Sequence, residues 1–416
     1  MSSAIEALIQ AGNLVEARQQ LGLLPLGPEH DYYAAVIDSE AGLLRPAEHR
    51  LKHLLKQLPG MVPASVQLAS VLLRQGRAQD AERIFADVIQ RVPGHGGAHL
   101  GMAQALADQQ RNQEAEALLQ SMLQTWPAQS EIYAEGVRIA LKLGDKAAAV
   151  AWHGQRKAAC PPHRLHDMDA IRLAIEDKQE ALAERWLADY LHQFPGDSVA
   201  QHLLDSIQGQ TRARASADYV RQVFDAYAEQ YDQHLEGALQ SVVPKQIAEL
   251  LRASVPAGSI GADLGCGTGL LAQHLGSGYR LIGVDLSGAM LEKSKARGYQ
   301  SLIEADIEQY LQTVASASLD FVVASDTMIY LGDLAVFSKA LRQALKPGGH
   351  FIASFEALTE AQAFKLMPHA RFAHHQNYLR NCFDSAGLSL KSLTSMVLRR
   401  ERGAEVAGLL LHCLRA

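Results

Sequence analysis

Proline recurs at Pro59, Pro93, Pro127, Pro161 and Pro195, at intervals of 34 residues. Alanine keeps the same interval at Ala47, Ala81, Ala115, Ala149 and Ala183. Gly42, Gly76 and Gly144 hold a third register, with Gln110 and Lys178 in the glycine's place in the other two units. Each position has a physical meaning in a pair of short helices. The glycine permits a tight turn between them, the alanine lets them cross closely, and the proline ends the second helix. Such a unit cannot bury its apolar face alone, so its neighbours must stack on it. The first half is thereby restricted to an α-solenoid of five units over residues 28–195. A less regular helical pair at 3–21 precedes them, and a capping helix is expected at 197–208. The small, polar run 208–216 reads as a linker, giving domains 1–208 and 216–416. His153 and Arg156, in the fourth unit, take places that such repeats fill with apolar groups. They predict a locally twisted or partner-contacting unit.

The 34-residue pattern resembles the tetratricopeptide repeat. The resemblance implies a concave groove for a peptide or protein partner, with self-association or a purely structural role as alternatives. Repeats that grip a C-terminal carboxylate use Lys and Asn on their first helices. The matching positions here are Val66, Ser70, Leu100, Gln104, Ala134 and Arg138, so no such clamp is expected.

The second half turns on Asp263-Leu264-Gly265-Cys266-Gly267-Thr268-Gly269. An apolar run ends at Leu264 and a helical pattern begins near Thr268, which makes a strand, a glycine-rich turn and a helix. Glycines let the backbone approach a ligand, and free N–H groups at the helix start form a polar cradle. Asp285 ends the next apolar run, 20 residues after Gly265, where an acidic residue grips two ribose hydroxyls. The third glycine falls one place earlier than in dinucleotide binders.

This G-x-G-x-G turn behind Asp263 resembles the first motif of class I methyltransferases that use S-adenosylmethionine. Ser301 to Ile307 resembles the third strand and adenine loop, Leu319 to Asp326 the fourth strand, and Lys346-Pro347-Gly348-Gly349 the turn opening a fifth at Phe351 to Phe355. Residues 388–398 and 406–414 resemble the terminal hairpin. Phe224-Asp225-Ala226-Tyr227 and Tyr231-Asp232-Gln233-His234-Leu235 resemble lid helices, expected within 216–252. Nearly the whole chain is similar to a bacterial group of predicted methyltransferases with N-terminal tetratricopeptide repeats. The implied fold is α + α/β, an α-solenoid followed by a doubly wound, Rossmann-like domain. The implied cofactor is S-adenosyl-L-methionine. Gly265, Gly267 and Gly269 would admit it, Asp263 would order its amino group, and Asp285 with Leu286 would hold the ribose. Met290, Asp306, Ile307 and Ser325 would complete the adenine and methionine contacts.

Methyl transfer is an in-line displacement, so the protein must align the acceptor and exclude water. A base is needed only where the acceptor loses a proton. Tyr227, Tyr231 and His234 share one helical face of the lid. His374 and His375 lie in the segment after the fifth strand, which covers the acceptor in similar enzymes. His374, His234 and Tyr227 are thus the catalytic candidates, and Tyr231, Asp326 and His375 the substrate candidates. Packing tyrosines and solvated histidines are the alternative reading. The acceptor is an O, N or S atom of a small molecule, which a protein can carry. Two alternatives stay open: a protein side chain recruited by the repeats, and a non-catalytic S-adenosylmethionine sensor. Ser325-Asp326-Thr327-Met328 is not the N-P-P-[YF] or D-P-P-Y of base and glutamine amino methyltransferases, and no Pro-Cys nucleophile occurs.

A net charge of −6 without a basic face argues against nucleic acid as a partner. Cys160, Cys266, Cys382 and Cys413 are scattered, which suggests neither a metal site nor disulfides and fits a reducing cytoplasm. No secretory signal is read at the start and no run of 18 apolar residues occurs, so no membrane association is expected.

Overall fold

A computed structural model describes residues 2–10, 13–161, 164–210, 212–228, 231–233, 241–401 and 404–416. The chain divides into two compact units, Met1–Trp186 and Leu187–Ala416.

The first unit is helical throughout. Helix pairs Pro28–Glu40/Leu44–Gln57, Val62–Arg74/Ala78–Arg91, Gly96–Asp108/Asn112–Thr125 and Ser130–Lys142/Lys146–Ala159 follow the predicted period, and Arg164–Glu176 opens a fifth with Glu180–Gln193. The recurring alanines Ala47, Ala81, Ala115, Ala149 and Ala183 are wholly buried, as close helix crossing requires. Gly42, Gly76 and Gly144 adopt positive φ, and so do Gln110 and Lys178, at 63° and 58°. The turn geometry therefore persists where the glycine does not. Arg156 is 2 % exposed and pairs with Asp167, while the His153 ring packs on Trp186 at 4.3 Å between centroids. The Arg156 charge is thus buried opposite a carboxylate, which is the condition for taking a charge out of water.

The second unit is a nine-stranded sheet: β1 (Ile260–Leu264), β2 (Arg280–Asp285), β3 (Ser301–Glu304), β4 (Leu319–Ala324), β5 (Leu345–Leu358), β6 (Phe364–Leu366), β7 (Phe372–His375), β8 (Leu388–Glu401) and β9 (Ala404–Arg415). Its order is β3-β2-β1-β4-β5-β7-β6, with β9 antiparallel to both β5 and β8. Strands β1 to β5 pair in parallel. Successive side chains alternate between faces, so Phe321, Val323 and Ile352 join the core under helices Val243–Ser254 and Leu270–Leu275. Val322 and Phe351 join the opposite core with Phe337 and Phe383. That two-sided burial makes the sheet doubly wound.

Three expectations change in detail. Lys346-Pro347-Gly348-Gly349 lies inside β5, where the register with β4 shifts between Leu319 and Phe321 and Gly348 has φ 74°. The turn is an irregularity within one long strand. Strands β6 and β7 extend the sheet beyond β5 and were not predicted. The division within the helix Glu180–Gln193 falls before the expected boundary at 208–216. The expected capping helix is present as Ser198–Ile207, and its Val199 and Leu203 pack with Tyr219, Leu366 and Phe372 of the second unit. The His202 ring bonds the Ala370 carbonyl at 3.0 Å. The run read as a linker is also fixed: Gly332 and Asp333 N–H donate to Ala213 O, and Ala215 N–H donates to Tyr330 O.

Candidate active site

A cavity opens at the C-terminal ends of β1, β2 and β4, where strand order reverses and open α/β sheets hold ligands. Its floor is the glycine turn. Gly265, Gly267 and Gly269 have φ of 68°, 54° and 89°. A Cβ on Gly265 would overlap the Thr327 hydroxyl and lie 2.9 Å from Thr327 Cβ, and one on Gly269 would lie 2.8 Å from Arg297 Cβ. Thr327 is held in place by its hydroxyl, which donates to Leu264 O at 2.9 Å. At Gly267 the nearest atom is in the Tyr231 ring, at 3.6 Å, so this glycine leaves the cavity its width.

Two buried carboxylates sit below the turn. Asp285 is 8 % exposed and accepts from Gly267 N–H at 2.8 Å and Ser287 N–H at 2.9 Å. Burial pushes its pKa up, and those backbone donors oppose the shift. Asp263 is 1 % exposed and accepts from the Tyr299 hydroxyl at 2.7 Å. Desolvation raises its pKa to about 7, against the Tyr299 hydrogen bond. At the far end, Asp306 caps the helix Ile307–Thr313 by accepting from Glu308 and Gln309 N–H. It also pairs with Arg214, which reaches Glu308 at 2.6 Å. Leu286, Ile307 and Ser325 line the cavity as well. Met290 is fully buried in its helix and is not among the lining residues.

Helices Ala217–Tyr227 and Tyr231–Gln233, the segment expected to be a lid, are tied to this floor by two aspartates that had no expected role. Ser287 Oγ donates to Asp225 at 2.6 Å. Asp232 accepts from the Thr268 hydroxyl and pairs with Arg297 at 2.7 Å. The Tyr231 ring thus faces the cavity, edge-to-face with Tyr227 at 5.8 Å between centroids. Burial raises the Tyr227 pKa to about 12. Asp326, with φ 54°, also lines the cavity.

Neither His374 nor His375 is brought into the cavity. His374 is wholly buried beside Phe355 and Tyr378, and its Nε2 bonds Gly332 O at 3.0 Å. Desolvation holds its pKa down at about 4. Its ring is core, with its polar edge spent on a carbonyl. His375 caps the helix Gln376–Ser385 by accepting from Asn377 N–H at 3.2 Å. His234 lies outside the described residues. Tyr299, Thr327, Arg214, Glu356, Arg371 and Arg399 had no expected role, because each has a partner tens of residues away in sequence. Among the described residues, no group of three His, Cys, Asp or Glu is placed to hold a metal ion, and no helix is long and apolar enough to cross a membrane.

The sequence is similar to known methyltransferases and repeat proteins. Residues 262–353 match the family described as methyltransferase domain, and residues 72–134 match tetratricopeptide repeat. A ubiquinone biosynthesis O-methyltransferase of Acinetobacter baumannii (strain AYE) is 26% identical over 197 residues, covering 42% of this chain and 83% of the relative. One from Methylobacterium sp. (strain 4-46) is 31% identical over 96 residues, covering 22% and 39%. Magnesium protoporphyrin IX methyltransferase from Synechocystis PCC 6803, solved with bound S-adenosylmethionine, is 18% identical, with a TM-score of 0.38 over 50% of this chain and 100% of that one.

Proposed function

We propose that this chain, an S-adenosylmethionine-dependent methyltransferase with tetratricopeptide repeats, methylates a small molecule held between its lid and the end of β4. The observation that carries this reading is Tyr231, which faces the glycine turn and Asp326 in one cavity. An acceptor there is shielded from water by an aromatic lid, as displacement at a sulfonium methyl requires. The O-methyltransferase relatives favour a small acceptor, and the repeats favour a peptide or protein partner recruited beside it. Free cysteines suit a cytoplasmic setting.

The cofactor supplies an activated methyl group on a good leaving group, and the residues present fit it. The crowded Gly265 and open Gly267 leave backbone for its methionine and ribose. Asp285 takes the ribose hydroxyls, sharing lone pairs that already receive backbone N–H groups. Asp306 and Ile307 take the adenine edge, and Asp263 orders the amino end. Asp285→Ala removes a charged acceptor, so affinity for S-adenosylhomocysteine should fall by about ten- to a hundredfold, a loss of roughly 1.5–3 kcal/mol. Calorimetry on the folded variant measures it, and unchanged affinity refutes the ribose assignment. The acceptor class is tested with methyl-tritiated S-adenosylmethionine in a protein and metabolite extract. Label in the small-molecule fraction supports the reading, and label confined to protein overturns it.

A further inference from the structure

The segment between the capping helix and the lid lies along the loop that follows β4, at the end of the cavity formed by Asp306 and Ile307. Arg214 pairs with Leu331 as an antiparallel bridge, through Ala215 N–H to Tyr330 O and Gly332 N–H to Ala213 O, both at 2.9 Å. Both ends of this strap are anchored. Arg212 pairs with the buried carboxylate of Asp205, on the helix Ser198–Ile207. Ser216 Oγ accepts from Tyr219 N–H at 3.2 Å and caps the helix Ala217–Tyr227. Ala215 is buried in the apolar cluster of Tyr219, Leu366 and Phe372. The strap is thereby fixed with Arg214 and Ala215 in the cavity wall.

What Arg214 does there follows from the carboxylate it meets. Asp306 Oδ1 accepts from Glu308 N–H at 3.0 Å and Gln309 N–H at 3.2 Å. A cap through one oxygen leaves the other free to swing about the side-chain bond. Arg214 removes that freedom. Its Nη1 reaches Oδ1 at 3.3 Å and its Nη2 donates to Oδ2, the two-point grip of a guanidinium on a carboxylate. Nη1 also donates to Glu308 Oε2 at 2.6 Å. Two carboxylates thus face one guanidinium, so the strap is no site for an anionic ligand. Cap and fork together leave Oδ2 one uncommitted lone pair among the described residues, and Asp306 lines the cavity beside Ile307.

We propose that Arg214 is a positioning residue for the cofactor: it locks the Asp306 carboxylate in the orientation that reads the adenine amine, which makes the strap part of the cofactor site. The proposal rests on the adenine assignment of Asp306 given above. It extends that assignment to a segment outside the glycine turn and the strand ends.

Calorimetry on the full chain compares S-adenosylhomocysteine with its 6-deamino analogue, in which hydrogen replaces the adenine amine. Wild type should bind the analogue about tenfold more weakly, the loss of one hydrogen bond to a charged acceptor. Arg214→Ala should lose about tenfold in affinity for S-adenosylhomocysteine and less than about threefold for the analogue, so the discrimination shrinks. A strap that only closed the wall would weaken both ligands alike. Arg214→Lys keeps the charge without the fork, and its discrimination should fall between those of wild type and Arg214→Ala. Where the alanine variant melts below the assay temperature, the lysine variant carries the same comparison. In Asp306→Asn, adding Arg214→Ala should cost no further affinity for S-adenosylhomocysteine, since the two act as one unit. Wild type that binds both ligands alike overturns the adenine assignment, and the proposal with it. Wild-type discrimination overturns the proposal alone when Arg214→Ala or Arg214→Lys retains it in full, or when either variant loses equally for both ligands or gains affinity for S-adenosylhomocysteine.

Discussion

The two halves of the molecule use left-handed backbone for different ends. In the repeats, a Cβ placed on Gly76 or Gly144 meets nothing within 4 Å. The position needs only the turn, and Gln110 and Lys178 supply it while exposed to solvent. In the catalytic half, a Cβ on Gly265 runs into Thr327, whose side chain is pinned to the turn. There the missing side chain is itself structural. A periodic, uncrowded glycine marks a turn that tolerates substitution at the cost of strain. An aperiodic, crowded one marks a place where backbone must stay bare.

The strongest break of this contrast is Gly265→Ala set against Gly76→Ala. At Gly76 only the left-handed cost of about 1–2 kcal/mol is at stake. At Gly265 overpacking against Thr327 adds about 1–3 kcal/mol more. Gly265→Ala should therefore melt well below Gly76→Ala and lose measurable S-adenosylhomocysteine binding, while Gly76→Ala keeps full affinity. Thermal melts and calorimetry on both decide it. Equal losses would mean that Thr327 yields and that the crowding has no energetic weight.

The same contrast explains what the sequence made legible. The solenoid was readable because its constraint repeats every 34 residues, and strands β1 to β4 because each is a short segment with apolar residues that ends at or just before a candidate cofactor residue: Gly265, Asp285, Asp306 and Ser325. The buried charge cluster around Asp326 was not. Asp326, Glu356, Arg371 and Arg399 are brought together from four segments, and spacing along the chain carries no trace of that. His374 invited a catalytic reading by following β5, but its neighbours Phe355, Phe364 and Tyr378 come from three elements and make it core. Strands β6 and β7, of three and four residues, are too short to show alternation. Arg214 sat in a run of small polar residues, and its partner Asp306 is 92 positions away.

A second effect, confined to the catalytic half, concerns Asp263. Its folded pKa of about 7 lies above the ordinary aspartate value of 3.8. Folding therefore favours the protonated form, and the stabilisation is complete below about pH 4 and lost as pH rises through 7. Above that, the cofactor-free protein carries a buried charge whose cost has a ceiling of about 4 kcal/mol, with roughly half that expected after local relaxation. Asp263→Asn keeps an acceptor for Tyr299 and removes the charge. Its melting temperature should match wild type near pH 4 and exceed it at pH 8. A difference that does not change with pH would show that the carboxylate ionises there without penalty.

The smallest effect is the most exacting for the repeats. If Gln110 and Lys178 hold left-handed turns in open surroundings, their only cost is strain, and glycine should relieve it. Relief of about 1–2 kcal/mol is offset by the extra chain entropy that glycine loses on folding, about 0.5–1 kcal/mol. Gln110→Gly should then stabilise the chain by roughly 0.5 kcal/mol, and Lys178→Gly by a similar amount. The two turns lie in different repeats, where neighbour interfaces set stability, so the gains should add in the double variant. Denaturant melts of the single and double variants measure this, with S-adenosylhomocysteine affinity unchanged throughout. A loss of stability at either position would mean that the exposed side chain makes a contact worth more than the strain. The turn would then no longer be the uncrowded one that the comparison with Gly265 requires.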